Sequence, residues 1–156
     1  MLRENPVVAI IMGSQSDWNI MQHAQATLDD LKIPSNAFVM SAHRTPEKVA
    51  EFASDARSNG YSILIGAAGM AAHLAGALKA HSTLPVIGIP LPGGMMDGLD
   101  SLLATVNMPK GVPVATVSMG KAGAINAAVL CAEIFSLQNA DLALKLDKFK
   151  ENGCML

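Results

Sequence analysis

Val7-Val8-Ala9-Ile10-Ile11-Met12, followed at once by Gly13-Ser14-Gln15-Ser16-Asp17, decides the fold. An apolar run without alternation marks a strand buried on both faces, as in a parallel sheet covered by helices. The polar segment is a turn, and Ser16 or Asp17 can cap the helix it leads into, which is expected to run to about residue 31. Strand and helix then keep alternating. Ala37-Phe38-Val39-Met40 reads as a second strand and Ser41-Ala42-His43-Arg44 as a loop. Thr45-Pro46-Glu47 opens a helix, with Thr45 as its cap and Pro46 at the first helical position. That helix should reach about residue 59, with Gly60 as its stop. Residues 61–65 form a third strand, Gly66-Ala67-Ala68-Gly69 a turn, and 70–80 a helix of small residues. A fourth strand covers 84–90 and a short helix 99–103, after a loop at 91–98. A fifth strand is expected at 114–117, an Ala-rich helix at 122–135 and an amphipathic one at 140–150, with a short tail at 151–156. The pattern predicts one α/β domain over 1–156: a parallel sheet of about five strands with helices on both faces.

Of the 156 residues, 51% are apolar and 15% charged, where an average soluble domain has about 25% charge. Such a chain is too apolar for disorder. It also has few charges with which to coat a monomer, so a large apolar face between subunits is expected. The net charge is −2, and there are one Trp, one Tyr and four Phe. Neither nucleic acid nor an anionic membrane is an expected partner. Cys131 lies in an apolar run and reads as a small core residue, Cys154 lies in the tail, and the pair builds no disulfide framework. This cysteine usage suits a reducing cytoplasm. Met1-Leu2-Arg3-Glu4-Asn5-Pro6 lacks signal-peptide architecture. Residues 58–78 lack Asp, Glu, Lys and Arg but contain four Gly and His73, and they divide into strand, turn and helix rather than a membrane span.

Open parallel sheets bind ligands at the carboxyl ends of their strands, where the strand order reverses. With a flavodoxin-like order that point lies between the first and third strands, where loops 13–17, 41–46 and 66–73 meet. In the first loop, free N–H groups at a helix start favour an anion, and Ser14 and Ser16 add hydroxyl donors. Asp17 can accept from a pair of ribose hydroxyls; the plainer reading is a turn with Asp17 as cap. The loop has neither a Walker pattern nor the Gly-x-Gly-x-x-Gly fingerprint. In the second loop, Arg44 offers a donor fork matching phosphate or carboxylate, and His43 can exchange a proton near neutral pH. A solvated loop is the alternative. In the third, glycines allow close backbone approach, and His73 is either structural or catalytic. His23 and His81 receive no role. No metal-ligand spacing and no Gly-x-Ser-x-Gly elbow occurs.

Met12-Gly13-Ser14-Gln15-Ser16-Asp17-Trp18, Ser41-Ala42-His43-Arg44-Thr45-Pro46, Ala71-Ala72-His73-Leu74 and Asn107-Met108-Pro109-Lys110-Gly111-Val112-Pro113-Val114 follow one another in this order. In these motifs the chain resembles the class I 5-(carboxyamino)imidazole ribonucleotide mutases, the family of the phosphoribosylaminoimidazole carboxylase catalytic subunit. The resemblance implies a three-layer α/β sandwich of flavodoxin type, assembled as a homo-octamer. It implies an isomerase of purine biosynthesis. A carboxylate moves from the exocyclic nitrogen of an imidazole ribonucleotide to ring carbon 4, through carbon dioxide released and recaptured in the site, without metal or organic cofactor. By matching positions, Ser14, Ser16 and Arg44 would hold the phosphate, Asp17 the ribose, and His43 would shuttle the proton. Ser41, Gly69, Met70, Ala71, His73 and Leu74 would surround the migrating carboxylate. Residues 108–111 are expected to form a lid, and a transient contact with the synthetase that supplies the unstable substrate is left open. The family often has Gly where this chain has Met70, and Pro where it has Ala75.

Two other functions remain in play from the residues. One is direct carboxylation of aminoimidazole ribonucleotide with carbon dioxide. The other is a non-catalytic mononucleotide-binding module, which the shortage of aromatic residues for stacking a flavin disfavours.

Overall fold

Five strands form one sheet: β1 (Val7–Met12), β2 (Ser35–Val39), β3 (Tyr61–Ala68), β4 (Val86–Pro90) and β5 (Ala115–Thr116). Their order is β2-β1-β3-β4-β5 and every neighbouring pair is parallel. This computed structural model describes residues 6–155, so the reading of positions 1–5 as lacking a signal peptide lies outside the described residues.

The period of two along β1 and β3 explains their uninterrupted apolar sequence. Val8, Ile10, Met12, Ile63, Ile65 and Ala67 point to one face, against α1 (Trp18–Asp30) and α5 (Gly120–Ser136). Ala9, Ile11 and Leu64 point to the other, against α2 (Pro46–Asp55) and α3 (Leu74–His81). Both faces are thus dry, and the three layers follow. Helices α4 (Leu99–Val106) and α6 (Ala140–Glu151) complete the chain: α4 borders β4 and β5, and α6 packs on α5. Cys131 is fully buried in the first cluster, and burial pushes its thiol far above the ordinary range.

The sheet corrects two boundaries. Gly66, Ala67 and Ala68 were expected in a turn, yet they continue β3, where Gly66 pairs with Ile11 and Gly88. Gly66 serves packing there: a Cβ on it would lie 3.0 Å from the Ala75 Cα of α3. Helix α3 starts at Leu74 rather than at residue 70, because Met70 has φ 52°, a left-handed conformation that no helix continues. At its other ends the pattern holds with smaller shifts. Helix α2 stops at Asp55, turns bring the chain to Gly60, and its φ of 99° lets β3 begin. Strand β5 is shorter than expected, and Pro113 just before it lacks an N–H for the ladder.

Gly88 marks the tightest crossing of sheet and helix. A Cβ there would lie 2.5 Å from Thr105 Cγ2 and 2.7 Å from Val114 Cγ1. Thr105 is buried and its hydroxyl donates to the Ser101 carbonyl, so it cannot retreat freely. Gly88→Ala should therefore cost about 1–3 kcal/mol of stability by overpacking. Urea unfolding checks this: the midpoint falls at an unchanged slope, and an unmoved midpoint would contradict the packing.

Candidate active site

Three strand-to-helix turns meet at the carboxyl ends of β1, β2 and β3, and each is braced by its own hydrogen bonds. After β1, Ser14 keeps an extended backbone (φ −148°, ψ 151°) and starts a single 3-10 turn, Gln15–Asp17, which runs into α1. Ser14 Oγ accepts from the Ser16 N–H at 3.3 Å, and Asp17 Oδ2 accepts from the Ser14 N–H at 3.0 Å. The side-chain cap is thus made by Ser14, at the start of the 3-10 turn; Asp17 stands at the N-cap position of α1 without a capping bond there, and closes the reciprocal half of the Ser14 capping box. The Ser14 and Ser16 hydroxyls end 2.9 Å apart. Partial burial raises the Asp17 carboxyl above its ordinary value of 3.8, against the opposing pull of hydrogen bonds from Ser14 and Ser16.

After β2, the Thr45 hydroxyl leaves its expected capping task and ties the loop. It accepts from the Ser41 N–H at 3.2 Å and donates to the Ser41 carbonyl at 3.1 Å. Ser41 Oγ in turn accepts from the Arg44 N–H at 3.2 Å. The tied loop presents His43 and Arg44 as exposed side chains. Among the described residues nothing holds the Arg44 guanidinium, so its donor fork is available to a ligand.

After β3, the left-handed Met70 reverses the chain, and the N–H groups of Ala72 and His73 donate to the carbonyls of Met70 and Ala71 at 2.9 and 2.8 Å. A strained residue is tolerated here where a glycine would sit without strain. His73 caps α3 by position, but its side chain makes no capping bond. It reaches instead across the crevice: His43 Nε2 lies 2.8 Å from His73 Nδ1, with the ring planes at 86° and the centroids 4.9 Å apart.

The turns enclose an open cavity of about 390 Å³. All the candidates line it: Ser14, Ser16 and Asp17 from the first turn, Ser41, His43 and Arg44 from the second, and Gly69, Met70, Ala71, His73 and Leu74 from the third. Sequence reasoning missed the wall formed by Leu91, Pro92 and Gly94, which follow β4. The signal was present, since Pro92-Gly93-Gly94 is another glycine-bearing turn at a strand's carboxyl end. Residues 108–111, expected as a lid, do not line the cavity in this chain. Met108 lies against α3 instead, where a Cβ on Gly76 would be 3.3 Å from its sulfur.

The raised Asp17 carboxyl has a sign that can be checked. Its proton is favoured by folding, so the contribution is present below 3.8 and is lost as pH rises through the folded-state value. Asp17→Asn, which cannot ionise, escapes that loss. In melts from pH 3 to pH 7, the stability of Asp17→Asn relative to wild type should rise with pH and then level off; a constant or falling difference would contradict the burial.

The family model "AIR carboxylase" matches residues 7–154. The N5-carboxyaminoimidazole ribonucleotide mutase of Bacillus subtilis is 54% identical over 147 residues, which is 94% of this chain and 91% of that protein. The enzyme of the same name from Escherichia coli K12 is 45% identical over 150 residues, covering 96% and 89%. The crystal structure of Treponema denticola PurE superposes with a TM-score of 0.86 at 28% identity, covering 96% of this chain and 92% of that one. Matched across nearly its whole length in sequence and in fold, this chain belongs to the AIR carboxylase family.

Proposed function

We propose that this protein is an N5-carboxyaminoimidazole ribonucleotide mutase, moving the carboxylate from the exocyclic nitrogen to carbon 4 of the imidazole ring. One observation supports the reading: a single cavity gathers the paired hydroxyls of Ser14 and Ser16, the Arg44 guanidinium and the hydrogen-bonded rings of His43 and His73. The relatives named mutases support the same reaction.

The division of labour follows from the donors. The Ser14 and Ser16 hydroxyls and the Arg44 fork take the substrate phosphate. Asp17, with one oxygen held by the Ser14 N–H, accepts from the ribose hydroxyls through the other. The phosphate anchor fixes the heterocycle between the second and third turns. Protonation of the exocyclic nitrogen by His43 releases carbon dioxide and a neutral aminoimidazole. Carbon 4 then attacks the carbon dioxide, and His43, now neutral, removes the proton left on that carbon. Gly69, Met70, Ala71, His73 and Leu74, with Ser41 opposite, retain the carbon dioxide between the two steps. The chemistry balances without a resident metal or organic cofactor.

The cavity is open in one chain, and free carbon dioxide escapes an open site. A homo-octamer in the cytoplasm, with neighbours sealing the rim, completes the proposal. Its support is an apolar stripe on α4: Leu99, Leu103 and Val106, at helical spacing, are 37%, 48% and 50% exposed, and Met95 and Met96 extend it.

Three outcomes test these statements. The purified protein should convert the carboxyamino substrate without added bicarbonate; turnover only of aminoimidazole ribonucleotide with bicarbonate would instead mean direct carboxylation. His43→Ala should stay folded and bind product analogues while losing at least about 100-fold in kcat, the scale of a lost general acid–base, and near wild-type turnover would reject the mechanism. Leu103→Glu should shift the mass measured by ultracentrifugation from octamer toward smaller species; an unchanged mass would clear α4 of any part in assembly.

A further inference from the structure

We infer that His73 is the positioning residue of the proton shuttle: its Nδ1 accepts the Nε2–H of His43, so that His43 exchanges protons with substrate through Nδ1. This deepens the mutase reading and rests on it.

The geometry leaves room for one proton between the rings. His43 Nε2 and His73 Nδ1 are 2.8 Å apart, and two N–H bonds cannot face each other at that distance. Two assignments are open in a resting, neutral pair: either His43 donates or His73 does. The proton inventory of the reaction chooses between them. As the bond from the exocyclic nitrogen to the carboxyl carbon breaks, its electron pair stays on nitrogen and takes a proton from His43. After carbon 4 has bonded to carbon dioxide, the C–H pair returns to the ring and the proton returns to His43. The residue therefore alternates between cation and neutral ring. As a cation both its nitrogens carry hydrogen, so Nε2 must be a donor, and a donating His73 would force the contact apart in every cycle. With His73 accepting, and its own proton on Nε2, the bond survives both states. Only the Nδ1 position of His43 changes, presenting N–H for the first half and a lone pair for the second.

The surroundings fit that task. This is the only hydrogen bond that either ring makes among the described residues. His73 stands at the start of α3, behind a turn held by two backbone hydrogen bonds, and its imidazole is not spent on capping. His43 sits on the loop tied by Ser41 and Thr45. Two rigid supports, 30 residues apart in sequence, thus hold one shared proton.

Two variants and one spectrum test the inference. His73→Leu keeps bulk but removes the acceptor, and should lower kcat about 10–100-fold while KM changes less than about threefold. His73→Asn places Oδ1 where Nδ1 was and should recover most of that loss. Nitrogen-15 spectra of the ligand-free full chain should show neutral His43 protonated on Nε2, with its bonded proton at low field in wild type and His73→Asn but not in His73→Leu. A proton on His43 Nδ1 in the wild type, an Asn variant as slow as the Leu variant, or a Leu variant with wild-type kcat would each overturn the assignment. The spectrum is read without substrate, so failure of the assignment is distinct from failure of the mutase reading, which shows as a wild type that does not turn over the carboxyamino compound.

Discussion

β1 hydrogen-bonds to a parallel neighbour on each side, and those neighbours follow it through crossovers to opposite edges: β2 on one side, β3 on the other. The turn that leaves β1 must therefore diverge from the turn that leaves β3. A crevice opens between them at the carboxyl ends. Every proposed function of the protein sits in that gap. The apolar run of β1 is what makes the arrangement stable, because a strand bonded on both edges and covered on both faces has no route to water. Val8 through Ile11 are fully buried, and the faces they supply hold α1 and α5 on one side and α2 and α3 on the other.

The side chains that line the crevice point as they do because the turns differ in how they satisfy their own backbone. The first turn closes a capping box, which brings the hydroxyls of Ser14 and Ser16 together and holds Asp17 partly desolvated. The second spends the Thr45 hydroxyl on Ser41 and leaves Arg44 without an internal partner among the described residues. The third accepts a left-handed Met70 so that His73 can begin α3 facing His43. Local strain and local hydrogen bonds are thus converted into the direction of a few side chains. Small residues do the remaining work: Gly66 and Gly88 let α3 and α4 approach the sheet, which fixes the supports on which these turns stand.

The surface is unusual in the opposite sense. With 15% charged residues the chain leaves Leu99, Leu103, Val106, Met95 and Met96 exposed on and just before α4. An apolar stripe of this kind is costly for a monomer and favours association.

Sequence by itself determined the layers, the strand–helix alternation and the polar turns after β1 and β2, while of the turn expected at Gly66 only Gly69 lies beyond β3. Those features are local: an unbroken apolar run, a Pro at a helix start, a polar turn after a strand. It also singled out Ser14, Ser16, Asp17, His43, Arg44 and His73 in the loops after the first three strands, and all of them line one cavity. Only the tertiary structure decided how those residues meet. Gly66 looked like a turn residue because a glycine's reason in a strand lies in the helix packed on it, not in its neighbours along the chain. Leu91, Pro92 and Gly94 became a wall because β4 pairs with β3, a register that no local pattern states. The His43–His73 hydrogen bond belongs to the same class, for it joins two turns whose separation is set by strand order alone.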